Sequence, residues 1–147
     1  MHRQLLRLVG VLEIAGGLFG LADQVARLFP WGGMADMLRA LLGTAVFALM
    51  LLAGVLLLEH QAAGSRLSRW MQLAQLPVIA TPMFSYALHA GAFFNVSLVF
   101  HRPIVVDLAG QLGAWRWTLA AAGPHTVHLG VNAAALAAWL VLQWRRA

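Results

Sequence analysis

The side chains able to do chemistry are few, and most of them sit inside apolar runs. Glu13 lies within the hydrophobic stretch Leu5 to Ala22. A carboxylate at that depth in a bilayer is costly and marks a functional position by default. On a helix it shares a face with Gly10, Gly17 and Gly20, and Gly16 and Gly20 form a GxxxG pair. Small residues at this spacing let helix backbones approach closely, so Glu13 is expected to face a neighbouring helix. Gln75 is its expected partner. The plainer reading of the pair is a packing hydrogen bond.

Four histidines form the second group: His89, His101, and His125 with His128 at an i, i+3 spacing. That spacing puts the last two on one face of a helix. Two histidines with a third, or with Asp107, would suit Zn or Cu(II), and Met83 could add a soft ligand. Haem b held between His89 and His125 or His128 is the alternative cofactor. The plainer reading is that amphipathic imidazoles suit a membrane interface. His2 and His60 are expected to be solvated at the opposite surface. Ser85, Tyr86 and Asn132 complete the set, with Tyr86 and Asn132 as intramembrane polar contacts, lining a small cavity or joining two helices.

The rest of the composition narrows the field. There is no cysteine, which removes disulfides, thiolate metal sites and cysteine nucleophiles. No P-loop, GxGxxG, GxSxG or HExxH is present, so a non-catalytic role is the expectation. The net charge of +5 comes from arginines scattered beside apolar runs, with no basic stripe, and nucleic acid is not an expected partner.

These residues are positioned by an overwhelmingly apolar chain, 61% hydrophobic and 10% charged over 147 residues. Charged residues are absent from Ala40 to Leu58, from Trp70 to His101 and from Trp117 to Trp144. Runs of this length point to an integral membrane protein of one domain. The spacing predicts helices over about 4–29, 36–59, 69–89 and 124–144. Glu13 interrupts the first apolar stretch, so that stretch is read as a retained helix and not a cleaved signal peptide. Pro30-Trp31-Gly32-Gly33 should form the first loop.

The run from Trp70 to Phe100 has 31 residues, which at roughly 1.5 Å each overreach a hydrocarbon core of about 30 Å. Pro77 and Pro82 should kink its helical part, which ends near His89. Beyond it, Phe94, Val96, Leu98 and Phe100 alternate with Asn95, Ser97 and Val99, and Trp115, Trp117 and Leu119 alternate with Arg116 and Thr118. A period of two indicates extended structure. The expected fold is therefore a four-transmembrane-helix bundle with a β-like or interfacial insert over about 90–123. Three spans with a β-rich module is the alternative.

With both termini cytoplasmic, Arg3, Arg7, Arg66, Arg69, Arg145 and Arg146 fall inside, and Arg27, Arg39, Arg102 and Arg116 outside. That bias agrees with a bacterial-type inner membrane orientation. The expected role is a subunit or partner-binding protein assembling through the Gly10–Glu13–Gly17–Gly20 face. Its partners would be the bilayer and either a second copy or another membrane protein. A haem or metal protein, or an oligomeric pore or proton pathway through Glu13, are the other readings.

Overall fold

The computed structural model describes residues 2–29 and 32–144, apart from the side chain of His2. Expectations resting on Pro30, Trp31, Arg145, Arg146 and the His2 side chain lie outside the described residues.

Two helices form the frame, α1 (His2–Ala26) and α2 (Met34–Leu58). Both are long and apolar enough to cross a membrane. They run antiparallel: Gly10 meets Gly54 and Leu58, Gly17 meets Leu51, and Gly20 meets Phe47. A Cβ on Gly17 would stand 2.6 Å from the Leu51 amide nitrogen, so the glycine is what allows the two backbones to close.

Two half-length helices, α3 (Ala62–Gln75) and α4 (Ala133–Gln143), fill the Leu58 end of this frame. α3 stops before Pro77, which has no N–H to continue the ladder. α4 starts at its N-cap Asn132, whose side chain accepts from the amides of Ala134 and Ala135. Leu142, near the end of α4, closes a cluster with Leu6, Val9 and Leu57.

The Arg39 end is filled by a sheet of four strands: β1 (Pro77–Ala80), β2 (Ser85–Phe100), β3 (Val105–Ala120) and β4 (Val127–Asn132). Their order is β1-β4-β2-β3, and β1 also pairs with the start of β2. β1 is antiparallel to the first half of β2 and to β4, while β4 is antiparallel to the second half of β2. The two halves of β2 must therefore run in opposite directions. β2 turns back on itself, and β3 follows it residue by residue.

The bend sits at Gly91 (φ +84°) and at Gly113 (φ +69°), an extra residue in β3 at a β-bulge. Positive φ costs glycine little, and a bulge bends the bulged strand. At the same point the β2 backbone lies directly on α1: a Cβ on Gly16 would collide with Ala90 and Gly91. The first arm of β2 and the second arm of β3 then lie along the second half of α1. Trp115 stacks on Phe19, and the Trp117 indole donates to the Arg39 carbonyl at 3.0 Å.

The curled sheet has two unlike faces. Its outer face carries Leu88 and Ala90, buried against Phe47 and Met50. Beyond the helices it continues as Phe94, Val96, Leu98 and Phe100 of β2, Val106, Leu108 and Leu112 of β3, and Leu129 and Val131 of β4, all exposed. Its inner face carries Ser85, His89, Asn95, Ser97 and Asn132, all buried.

This architecture overturns the expected four-span bundle, and equally the three-span alternative. Among the described residues only α1 and α2 have the length and apolarity of a span. The expected third helix over 69–89 is α3 followed by β1 and the first arm of β2. Pro82 does not kink a helix; it sits in the β1–β2 turn, where Thr81 Oγ bonds both the amide and the carbonyl of Phe84. The expected fourth helix from Pro124 begins as loop and β4, and turns helical only at Ala133. The expected insert over 90–123 is strand for most of its length but is no separate module, since it continues the sheet packed on α1. The physical reason is common to all these errors. A sheet with an apolar outer face and small neutral inner residues is as free of charge as a spanning helix.

Candidate functional site

Two buried polar groups lie on opposite sides of the first arm of β2. The first belongs to the helices. Glu13 is 1% exposed, and each of its carboxylate oxygens accepts one hydrogen bond. Ser68 Oγ donates to one at 2.6 Å and Gln72 Nε2 to the other at 2.8 Å. Gln75 Nε2 reaches Gln72 Oε1 at 3.5 Å and the Met50 sulfur at 3.8 Å, and Gln75 Oε1 accepts from the Ala90 amide at 2.9 Å. Glu13 and Gln75 are thus joined through Gln72 and not directly. Every donor and acceptor in this chain of bonds is engaged, which makes it a rigid joint between α1, α3 and β2. A cavity of about 50 Å³ adjoins it, lined by Leu12, Gln72, Ala90 and alanines of α4.

The glycine face flanking Glu13 is occupied within the chain. Gly10, Gly17 and Gly20 pack on α2, and Gly16 packs on β2. Ser68 and Gln72 were not singled out in the sequence. They stand with Gln75 at the i, i+4, i+7 spacing of one helix face, a pattern that is readable once α3 is placed over 62–75.

The second group lies inside the curled sheet. Asn95 Nδ2 is 2.9 Å from His89 Nε2, although an extended strand would separate these residues by about 20 Å. The bend at Gly91 brings them together. With the amide donating, Nε2 accepts and the ring proton sits on Nδ1. Phe93 covers the imidazole at a centroid distance of 4.3 Å. Asn132 Oδ1 accepts from Phe94, Ala134 and Ala135 amides at 3.1, 3.2 and 3.3 Å, tying β2 to the start of α4.

Unlike the helix group, this one is incomplete. Ser85 Oγ, His89 Nδ1, Asn95 Oδ1 and Asn132 Nδ2 are buried without a hydrogen-bond partner in the chain. All four belong to residues on the inner face of the sheet. Two donors, an acceptor and a hydroxyl in one interior can serve water or another small polar molecule.

The other sequence candidates separate. Tyr86 is on the outer face, opposite to His89, and its hydroxyl donates to the Ala74 carbonyl at 2.6 Å. His101 is exposed in the β2–β3 turn, His125 is exposed in the loop before β4, and His128 is half-buried in β4. Among the described residues no three histidine or carboxylate side chains come together in a way that could hold a metal ion. The helical i, i+3 argument for His125 and His128 fails because neither is in a helix. Asn95 went unrecognised as the partner of His89 because a separation of six in a strand gives no local signal.

Comparison with protein-family models, with curated proteins and with solved structures returned no match.

Proposed function

We propose that this chain is a non-catalytic integral protein of a bacterial-type inner membrane, held by α1 and α2, that works by binding a second membrane-embedded chain. The observation that carries this reading is the sidedness of the sheet. Phe94, Val96, Leu98 and Phe100 of β2, Val106, Leu108 and Leu112 of β3 and Leu129 and Val131 of β4 point outward and are exposed, while Ser85, His89, Asn95, Ser97 and Asn132 point inward and are buried; Phe93, Val99 and Val105 are the apolar exceptions on the inner face. Transmembrane β-structure has this alternation, apolar toward lipid and polar toward the interior. Water-soluble sheets bury the apolar face instead. An exposed apolar surface of this extent marks an interaction site or a membrane contact.

The charges support one orientation. Arg3, Arg7, Arg66 and Arg69 gather at the Leu58 end of the helix pair. At the other end Arg27 pairs with Asp23 at 2.9 Å, and Arg39 pairs with Asp36. The six-to-four arginine split given by cytoplasmic termini supports an orientation with the N-terminus of α1 and the C-terminus of α2 inside.

The test is in cells that produce the protein. It should stay in the membrane pellet through alkaline carbonate extraction. A photo-crosslinking residue at Leu98 should capture lipid or a membrane polypeptide. Release into the carbonate supernatant would refute the reading.

A further inference from the structure

The sheet has one long open edge. β3 pairs only with β2, and no backbone hydrogen bond reaches its other side among the described residues. Strands usually run five or six residues, by rough average, and exposed edges are blunted by short length, prolines, lysines, bulges or inward-pointing charges, of which β3 has the bulge at Gly113 and the charges of Asp107 and Arg116. This edge is 16 residues long and contains neither proline nor lysine. From Val105 to Gly113 both its faces are exposed.

On the membrane reading above, on which this inference rests, the edge cannot be left open. Lipid offers no partner for the outward N–H and C=O groups, and open sheet edges do not occur in hydrocarbon. Something with an unpaired strand must cover it.

We propose that the partner is a second copy of this chain, paired antiparallel along β3 so that Asp107 of each copy meets Arg116 of the other. Antiparallel neighbours must point to the same face of a sheet. Asp107 is opposite Ser97 and Arg116 is opposite His89, and both of those residues face inward. The extra residue at Gly113 shifts the alternation and so brings the acid and the base to one side. In this register Leu108 faces Trp115 and Val106 faces Trp117 on the outer side, apolar against apolar. Neither Asp107 nor Arg116 has an ion-pair partner among the described residues.

The symmetry fits a membrane. A twofold axis at the bend, where the bulge leaves 110–113 of the two copies out of register, exchanges the two arms of β3. The second arm runs beside α1, and the first arm turns back along the same direction. The axis is therefore parallel to the spanning helices. That orientation gives two copies the same sidedness in one bilayer, and it closes the edge with an isologous contact.

The experiment uses the full chain in liposomes. The protein has no cysteine, so Gln111→Cys adds a single thiol near the axis. A short bifunctional thiol reagent should link most Gln111→Cys chains into dimers and should not link Ala121→Cys. Asp107→Arg and Arg116→Asp should each lower the dimer fraction at least tenfold at fixed lipid ratio, and the double variant should restore it. Dimers indifferent to both single changes, or a double variant that stays monomeric, would overturn the pairing. A nitroxide on Leu98→Cys separates the two claims. A monomer with that label in lipid removes the pairing and leaves the membrane reading intact. A rescued dimer with that label in water supports the pairing and removes the membrane reading.

Discussion

The outer and inner faces of the sheet are built from alternate residues of the same strands, yet they differ in kind. Leu108 is exposed and apolar on one side; its neighbour Asp107 is on the other. Along β2 the exposed Phe94, Val96 and Leu98 alternate with Asn95 and Ser97, which are buried. In water this arrangement is inverted, because the apolar face is the one that should be covered. The difference teaches that strict alternation sets an exposed apolar face against a face with buried polar groups, and the membrane proposal rests on that sidedness.

The strongest way to break the comparison is to charge the outer face. Leu108→Arg places a cation among the exposed apolar side chains and, on the membrane proposal, should cost about 2–4 kcal/mol in a reversible unfolding titration from bilayers, whereas Asp107→Asn beside it should cost far less. Equal costs at the two positions would erase the distinction between faces.

A second test compares the complete and the incomplete polar groups. Glu13→Leu leaves Ser68 and Gln72 buried without their acceptor and should cost roughly 1–3 kcal/mol, measured as a shift in denaturant midpoint. Glu13→Gln retains an acceptor for one of them and should cost less. Asn132→Ala removes the cap of α4 and the acceptor for Phe94, and about 1–2 kcal/mol is expected by the same measurement. The smallest effect is expected inside the sheet. Ser85 Oγ has no partner in the chain, so Ser85→Ala should change stability by no more than about 0.5 kcal/mol. A loss several times larger would show that this hydroxyl holds a bound molecule.

The legible parts of the fold were those with a long, single-period signal. α1 and α2 follow from apolar length alone, and the strands after His89 follow from the alternation at Phe94 to Phe100 and Trp115 to Leu119. The first arm of β2 was hidden because Tyr86 to Ala90 is apolar on both sides of His89, leaving no period to read. The start of α4 was misplaced because Pro124, a favoured first helical residue, competed with Asn132, and the cap before the alanine run is the one used. Glu13 was found by its chemistry, since a lone carboxylate in an apolar helix stands out in any register. Its partners and those of His89 depend on where chains cross and bend, at Gly16 and at Gly91, and no local pattern records that.

The central claim is the sidedness of the sheet in a membrane, and nitroxide scanning tests it most directly. Single labels at each position over 94–100 and 105–112, in liposomes, would be read for collision with oxygen and with a water-soluble nickel chelate. The account predicts a period of two, with oxygen access highest at positions 94, 96, 98, 100, 106, 108, 110 and 112. Labels that are uniformly accessible to the nickel chelate, or oxygen maxima at Asn95, Ser97 and Asp107, would contradict it.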